Sequence, residues 1–167
     1  AMTVPSLMQN HQRKTYVTQL HKVYTEFSQA LIRYQTDKYA VNLTEAGLSS
    51  QGNFDAFVSD YFKTVQKCDN SLTPCFSDDY KTLNGGGVNF HNGTSYVLAS
   101  GSSIRFILNV GGDKIGQVGI DINGKQGPNI LGRDLFFIAV NKNGILDDFN
   151  DGTAPLTEDE RNSIYTS

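Results

Sequence analysis

The chain reads as an α+β domain, with a long N-terminal amphipathic helix packed on a four-stranded antiparallel sheet. Three observations carry this reading. Apolar residues recur at helical spacing through the first part of the chain. From Thr94 onward, short apolar runs alternate with Gly- and Asn-rich turns. The composition, 16 Gly with 8 Tyr and 10 Phe but no Trp, suits pleated and turn-rich structure. At 167 residues the chain is one domain, long enough to bury its own core.

The first element spans 5–36. Val17, Leu20, Tyr24, Phe27, Leu31 and Tyr34 alternate spacings of three and four, which places them on one stripe. Pro5 suits a first helical turn, where its missing N–H costs nothing. Between Pro5 and Tyr16 the segment is largely polar, so the first turns are expected to project beyond the domain. Ala1-Met2 reads as a leftover of cloning. A second helix is expected over 53–66, from the spacing of Phe54, Phe57, Val58, Tyr61, Phe62 and Val65. Residues 43–52 form a polar connection, and 68–87 are irregular, broken by Pro74 and Gly85-Gly86-Gly87. The sheet occupies 94–145, with strands at Tyr96–Ala99, Ile104–Val110, Ile115–Ile122 and Leu135–Val140. Residues 146–167 are an acidic tail.

Charge excludes some functions. The net charge of −3 offers no broad attraction to nucleic acid, and no stable nucleic-acid binding is expected. The charge is uneven, though. A basic first helix (Arg13, Lys14, Lys22, Arg33, Lys38) faces an acidic end (Asp147, Asp148, Asp151, Glu158, Asp159, Glu160). The two signs suit head-to-tail assembly, or are two ordinary solvated faces. No stretch is long and apolar enough to cross a membrane. Cys68 and Cys75 are neither a CxxC pair nor part of a zinc set. They are either a short-loop disulfide, the preferred reading and one that implies an oxidising compartment, or two free buried thiols.

Enzyme chemistry finds no support. His11, His21 and His91 show no metal-binding spacing, and no G-x-S-x-G elbow frames a serine. The densest block is Asp121-Ile-Asn-Gly-Lys-Gln-Gly-Pro-Asn-Ile-Leu-Gly-Arg-Asp134. Asp121, Asn123, Asn129 and Asp134 are oxygen donors, as in a calcium loop. Lys125, however, stands where the next ligand belongs, and Gly124 comes too early for the sharp turn of an EF-hand. A structural turn is the favoured reading. Gly124 supplies positive φ, Gly127 and Pro128 mark a second turn, Asp121 and Asn123 cap backbone N–H groups, and Asp134 anchors the next strand or pairs with Arg133 or Lys125. A looser oxygen cluster, Asn141, Asn143, Asp147, Asp148 and Asp151, is the place where calcium would bind if any cofactor does.

Four stretches resemble the type IV pilin and type II secretion pseudopilin superfamily. Tyr16–Ala30 (YVTQLHKVYTEFSQA) is similar to the soluble half of the pilin helix. Cys68 and Cys75 with Phe76 and Tyr80 resemble the cysteine-bounded segment between helix and sheet, and Leu98–Phe106 the first hairpin. Gly119–Asn129 with Gly132–Phe136 resembles the pattern DVNGxKGPNxxGxDxF. The resemblance implies a structural subunit of a type IV pilus or related filament, made as a precursor whose apolar N-terminal helix is missing here. Its partners would be other pilin subunits and the inner-membrane assembly machinery, with membrane contact only through that missing helix. Its place would be a bacterial surface filament or the periplasm. It would act without catalysis, through an interface on Leu7, Val17, Leu20, Tyr24 and Phe27, the later ones shared with the core. The resemblance also implies a calcium site near the C-terminus, as in major pseudopilins. The alternatives are a type II secretion pseudopilin, or a secreted calcium-dependent binding module outside any filament.

Overall fold

A computed structural model describes residues 4–147 and residue 159, with side chains from Lys14 onward. Three helices precede six strands: α1 (Val4–Asp37), α2 (Leu43–Ala46), α3 (Gln51–Tyr61), β1 (Thr64–Asp69), β2 (Thr94–Leu98), β3 (Ser103–Gly111), β4 (Lys114–Asp121), β5 (Leu135–Asn141) and β6 (Leu146–Asp147). The strands form one antiparallel sheet in the order β1-β2-β3-β4-β5-β6. The α+β class therefore holds, but the sheet has six strands where the sequence predicts four.

Both extra strands have physical causes. The expected second helix ends at Tyr61, and Phe62 is already extended at φ −122° and ψ 148°. Beyond it, Thr64 and Val65 are β-branched, and Val65 is 66% exposed, so the helical stripe has no core to gain there. Pairing with β2 wins instead. The last strand, β6, is a two-residue addition that closes a tight turn after β5. The short helix α2 forms inside the expected connection because Asn42 caps it: the Glu45 N–H donates to Asn42 Oδ1 (2.8 Å), and the Glu45 carboxylate accepts from the Val41 N–H (2.9 Å).

The sheet is covered on both faces, and alternation along the strands sorts the layers. One set (Tyr96, Leu98, Ile104, Phe106, Val118, Ile120) packs under the helices with Val23, Phe27, Leu31, Phe54 and Phe57. Phe27 sits at its centre, with ring centroids 5.2 to 5.9 Å from Phe57, Phe62 and Phe106. The opposite set (Val97, Leu135, Phe137) faces a smaller cluster of Cys75, Phe76, Tyr80 and Phe90. Gly119 makes this second layer possible, since a Cβ there would lie 3.0 Å from the Phe137 ring. Residues 70–92, which take in most of the 68–87 segment predicted as irregular, are thus a lid over the second face.

Candidate functional site

The Asp121–Asp134 block is the loop between β4 and β5, and it is built as a brace. Asp121 lies directly opposite Leu135 and Ser103 in the sheet register. Its Oδ1 accepts the Asn123 N–H (3.2 Å) and its Oδ2 accepts the Tyr80 hydroxyl (2.5 Å). Asn123 Nδ2 donates to Gly127 O (3.0 Å), and Gly124 takes φ 67°. The Gly127–Pro128 bond is cis, and Asn129 has φ 57°. Asp134 accepts two backbone N–H groups, Asn129 at 2.8 Å and Ile130 at 2.8 Å. It anchors the loop in that way rather than by an ion pair with Arg133 or Lys125. The block also pairs with the lid, through Lys81 N–H to Asn129 O (3.1 Å) and Leu131 N–H to Lys81 O (2.9 Å).

Electrostatics follow from this burial. Asp121 and Asp134 are fully buried, and the Asp121 carboxyl is pushed up to about 7, mainly by desolvation, with Asp134 adding repulsion. The Tyr80 hydrogen bond and the Asn123 N–H oppose that shift. Tyr80 itself is raised, first by burial and then by its bond to Asp121. Tyr80 was not legible as the partner of Asp121, because they are far apart in sequence and nothing local marks the pair. Arg105 was missed too. It is buried on the lid side of β3, donating from Nη1 to Ser95 Oγ (2.7 Å), from Nη2 to Asn70 Oδ1 (2.8 Å) and from Nε to His91 O (3.1 Å). A guanidinium held by neutral acceptors staples the lid to the sheet.

Cys68 and Cys75 form a disulfide, so the free-thiol alternative is set aside. It ties β1 to the lid, where the Cys75 carbonyl accepts the Ser103 hydroxyl (2.6 Å). The Asn141–Asp147 stretch is a hairpin turn. Asn141 Nδ2 donates to Ile145 O (2.9 Å), and Asn143 Oδ1 accepts the Ile145 N–H (3.1 Å). Asp148 and Asp151 lie outside the described residues. Among the described residues no group of three His, Cys, Asp or Glu side chains is placed to hold a metal ion.

The predicted interface residues on α1 divide. Phe27 is in the core, and Leu20 packs partly against it. Val17 is 52% exposed and Tyr24 is 38% exposed, its hydroxyl donating to Leu146 O (3.1 Å). The Leu7 side chain lies outside the described residues. No fully buried side chain occurs from Lys14 to Lys22; burial starts at Val23. Open depressions lie among the described residues. One of about 240 Å³ lies beside Gln66, Cys75, Ser103, Asn123 and Lys125, and another of about 460 Å³ beside Gln51, Asn70, Asn92 and Thr94. Both are open to solvent, and neither gathers an acid, a base and a nucleophile.

No protein-family model, curated protein or solved structure matches this chain. No helix among the described residues is long and apolar enough to cross a membrane.

Proposed function

We propose that this chain is a structural subunit of a type IV pilus or related filament, assembling through its N-terminal helix and presenting its loops on the filament surface. The single observation that carries the reading is the division of α1. One 34-residue helix is locked into the core by Val23, Phe27, Ala30, Leu31 and Tyr34. Its preceding turns keep Val17 exposed and, from Lys14 to Lys22, bury nothing fully. A helix locked into the core by its later turns and leaving Val17 exposed on its earlier ones suits docking against like helices. The braced Asp121–Asp134 loop, the disulfide and the Arg105 staple suit a head that must stay folded outside the cell.

The reading is tested on the coding sequence. The complete gene should place a prepilin-type leader and an apolar span of about 20 residues directly upstream of α1. A cleavable secretory leader with no such span would instead support a secreted binding module.

A further inference from the structure

An asparagine followed by glycine can react with its own backbone, because glycine has no Cβ to keep the next amide nitrogen away from the side-chain carbonyl. The chain holds four such pairs: Asn84-Gly85, Asn92-Gly93, Asn123-Gly124 and Asn143-Gly144. The fold pins three of them. Asn123 Nδ2 donates to Gly127 O (3.0 Å), and Gly124 is buried. Asn92 Oδ1 accepts from Asn70 Nδ2 (3.3 Å), and the Gly93 N–H donates to Asn70 Oδ1 (3.1 Å) while Gly93 lies buried against Phe106 O. Asn143 Oδ1 accepts the Ile145 N–H (3.1 Å), and the Gly144 N–H donates to Asn141 O (2.9 Å). At each of these, swinging the side chain onto the next nitrogen breaks a side-chain hydrogen bond. Asn84 is different. None of the hydrogen bonds among the described residues involves its side chain, and Asn84, Gly85, Gly86 and Gly87 are all exposed. It sits at the tip of a lid hairpin closed by the Lys81–Gly87 bridge. There the Gly85 N–H donates to Thr82 O (2.9 Å) and the Thr82 N–H to Gly86 O (2.8 Å), exposed backbone bonds that open at low cost. A Cβ built at Gly85 or Gly87 would meet nothing within 4 Å, so the turn has room to rearrange.

We infer that Asn84 is a site of spontaneous modification, at which the folded protein loses a side-chain amide and gains a carboxylate. The Gly85 amide nitrogen gives its proton to hydroxide and attacks Asn84 Cγ. The new C–N bond closes a succinimide, and Nδ2 leaves as ammonia with a proton taken from water. Water then adds to either ring carbonyl and reopens the ring, leaving an aspartyl or an isoaspartyl residue at position 84. Nothing is oxidised or reduced, and water with its hydroxide is the only co-reactant. The product puts one further negative charge at the tip of the lid, on a chain whose net charge is already −3. The isoaspartyl form also routes the main chain through the side-chain carbon, which lengthens the turn that Thr82 and Gly85 close.

The test is peptide mapping by mass spectrometry on the intact folded protein, sampled over time in mildly alkaline buffer. Fragment ions separate Asn84 from Asn92, which share a tryptic peptide. Conversion of amide to acid should run roughly tenfold faster at Asn84 than at Asn92, Asn123 or Asn143, because only the pinned pairs must first open. In urea, where the pinning bonds are gone, the four rates should converge to within about threefold. A rate at Asn84 no greater than at the other three pairs in the folded protein overturns the inference. So does a lead for Asn84 that persists undiminished in urea, since its cause would then be the neighbouring sequence and not the fold.

Discussion

Replacing Asp121 by Asn should remove a pH dependence that the fold builds in. The Asp121 carboxyl is fully buried and pushed up to about 7 from an ordinary 3.8, mainly by desolvation. The folded chain thus holds this proton more tightly than the unfolded chain does. Its contribution is therefore fully present below about pH 4, is lost as pH rises through about 7, and is level above that. A shift of about three units at ~1.4 kcal/mol each sets an upper limit of about 4 kcal/mol. The amide that replaces the carboxyl would present a neutral oxygen to the Tyr80 hydroxyl and would not titrate. The assay is urea unfolding followed by tyrosine fluorescence, from pH 4 to pH 8, on both proteins. The stability difference between them should move by about 2–4 kcal/mol in favour of the variant as pH rises across that window. Parallel curves would refute the reasoning, since they would mean that Asp121 titrates alike in both states.

Other perturbations have equally definite outcomes. Gly116→Ala should cost about 2–3 kcal/mol in the same unfolding assay, because its Cβ would stand 2.6 Å from Ile107 O in the middle of the sheet. Replacing Cys68 and Cys75 together by Ser should lower stability by about 2–3 kcal/mol, the loop-closure entropy of so short a ring, and mass spectrometry of the parent should show a gain of about two hydrogens on reduction. Chelation should leave the melting temperature unchanged, because Asn141 and Asn143 are already turned onto Ile145. A drop of more than a few degrees would support the calcium-dependent alternative.

How much was legible in the sequence follows from which forces act locally. The helical stripe through Phe27, Leu31 and Tyr34 is visible because burial on one face repeats at helical spacing. The capping roles of Asp121 and Asp134 are visible because short acidic side chains beside Gly and Pro bond to nearby N–H groups. β1 was hidden because Phe62 continues the helical spacing while its backbone is extended; pairing with β2, decided some thirty residues later, overrides the pattern. Arg105 and Asp121 lie buried on the second face of the sheet, under a lid whose sequence reads as irregular, so nothing local in the sequence marks their burial. Val17 and Tyr24 sat on the predicted stripe but stay partly exposed, because the face of α1 turned to the core runs through Tyr16, Leu20, Val23 and Phe27.

The central claim is that α1 assembles this protein into filaments. The most direct measurement is electron microscopy of material sheared from cells expressing the complete gene, comparing the parent with Val17→Asp. Val17 is 52% exposed and outside the core, so the variant head should fold and accumulate as the parent does. The account predicts filaments from the parent and a loss of roughly tenfold or more in the variant, on the order of 1.4 kcal/mol or more per subunit contact. Equal filament yields from both proteins, or no filaments from the parent, would contradict it.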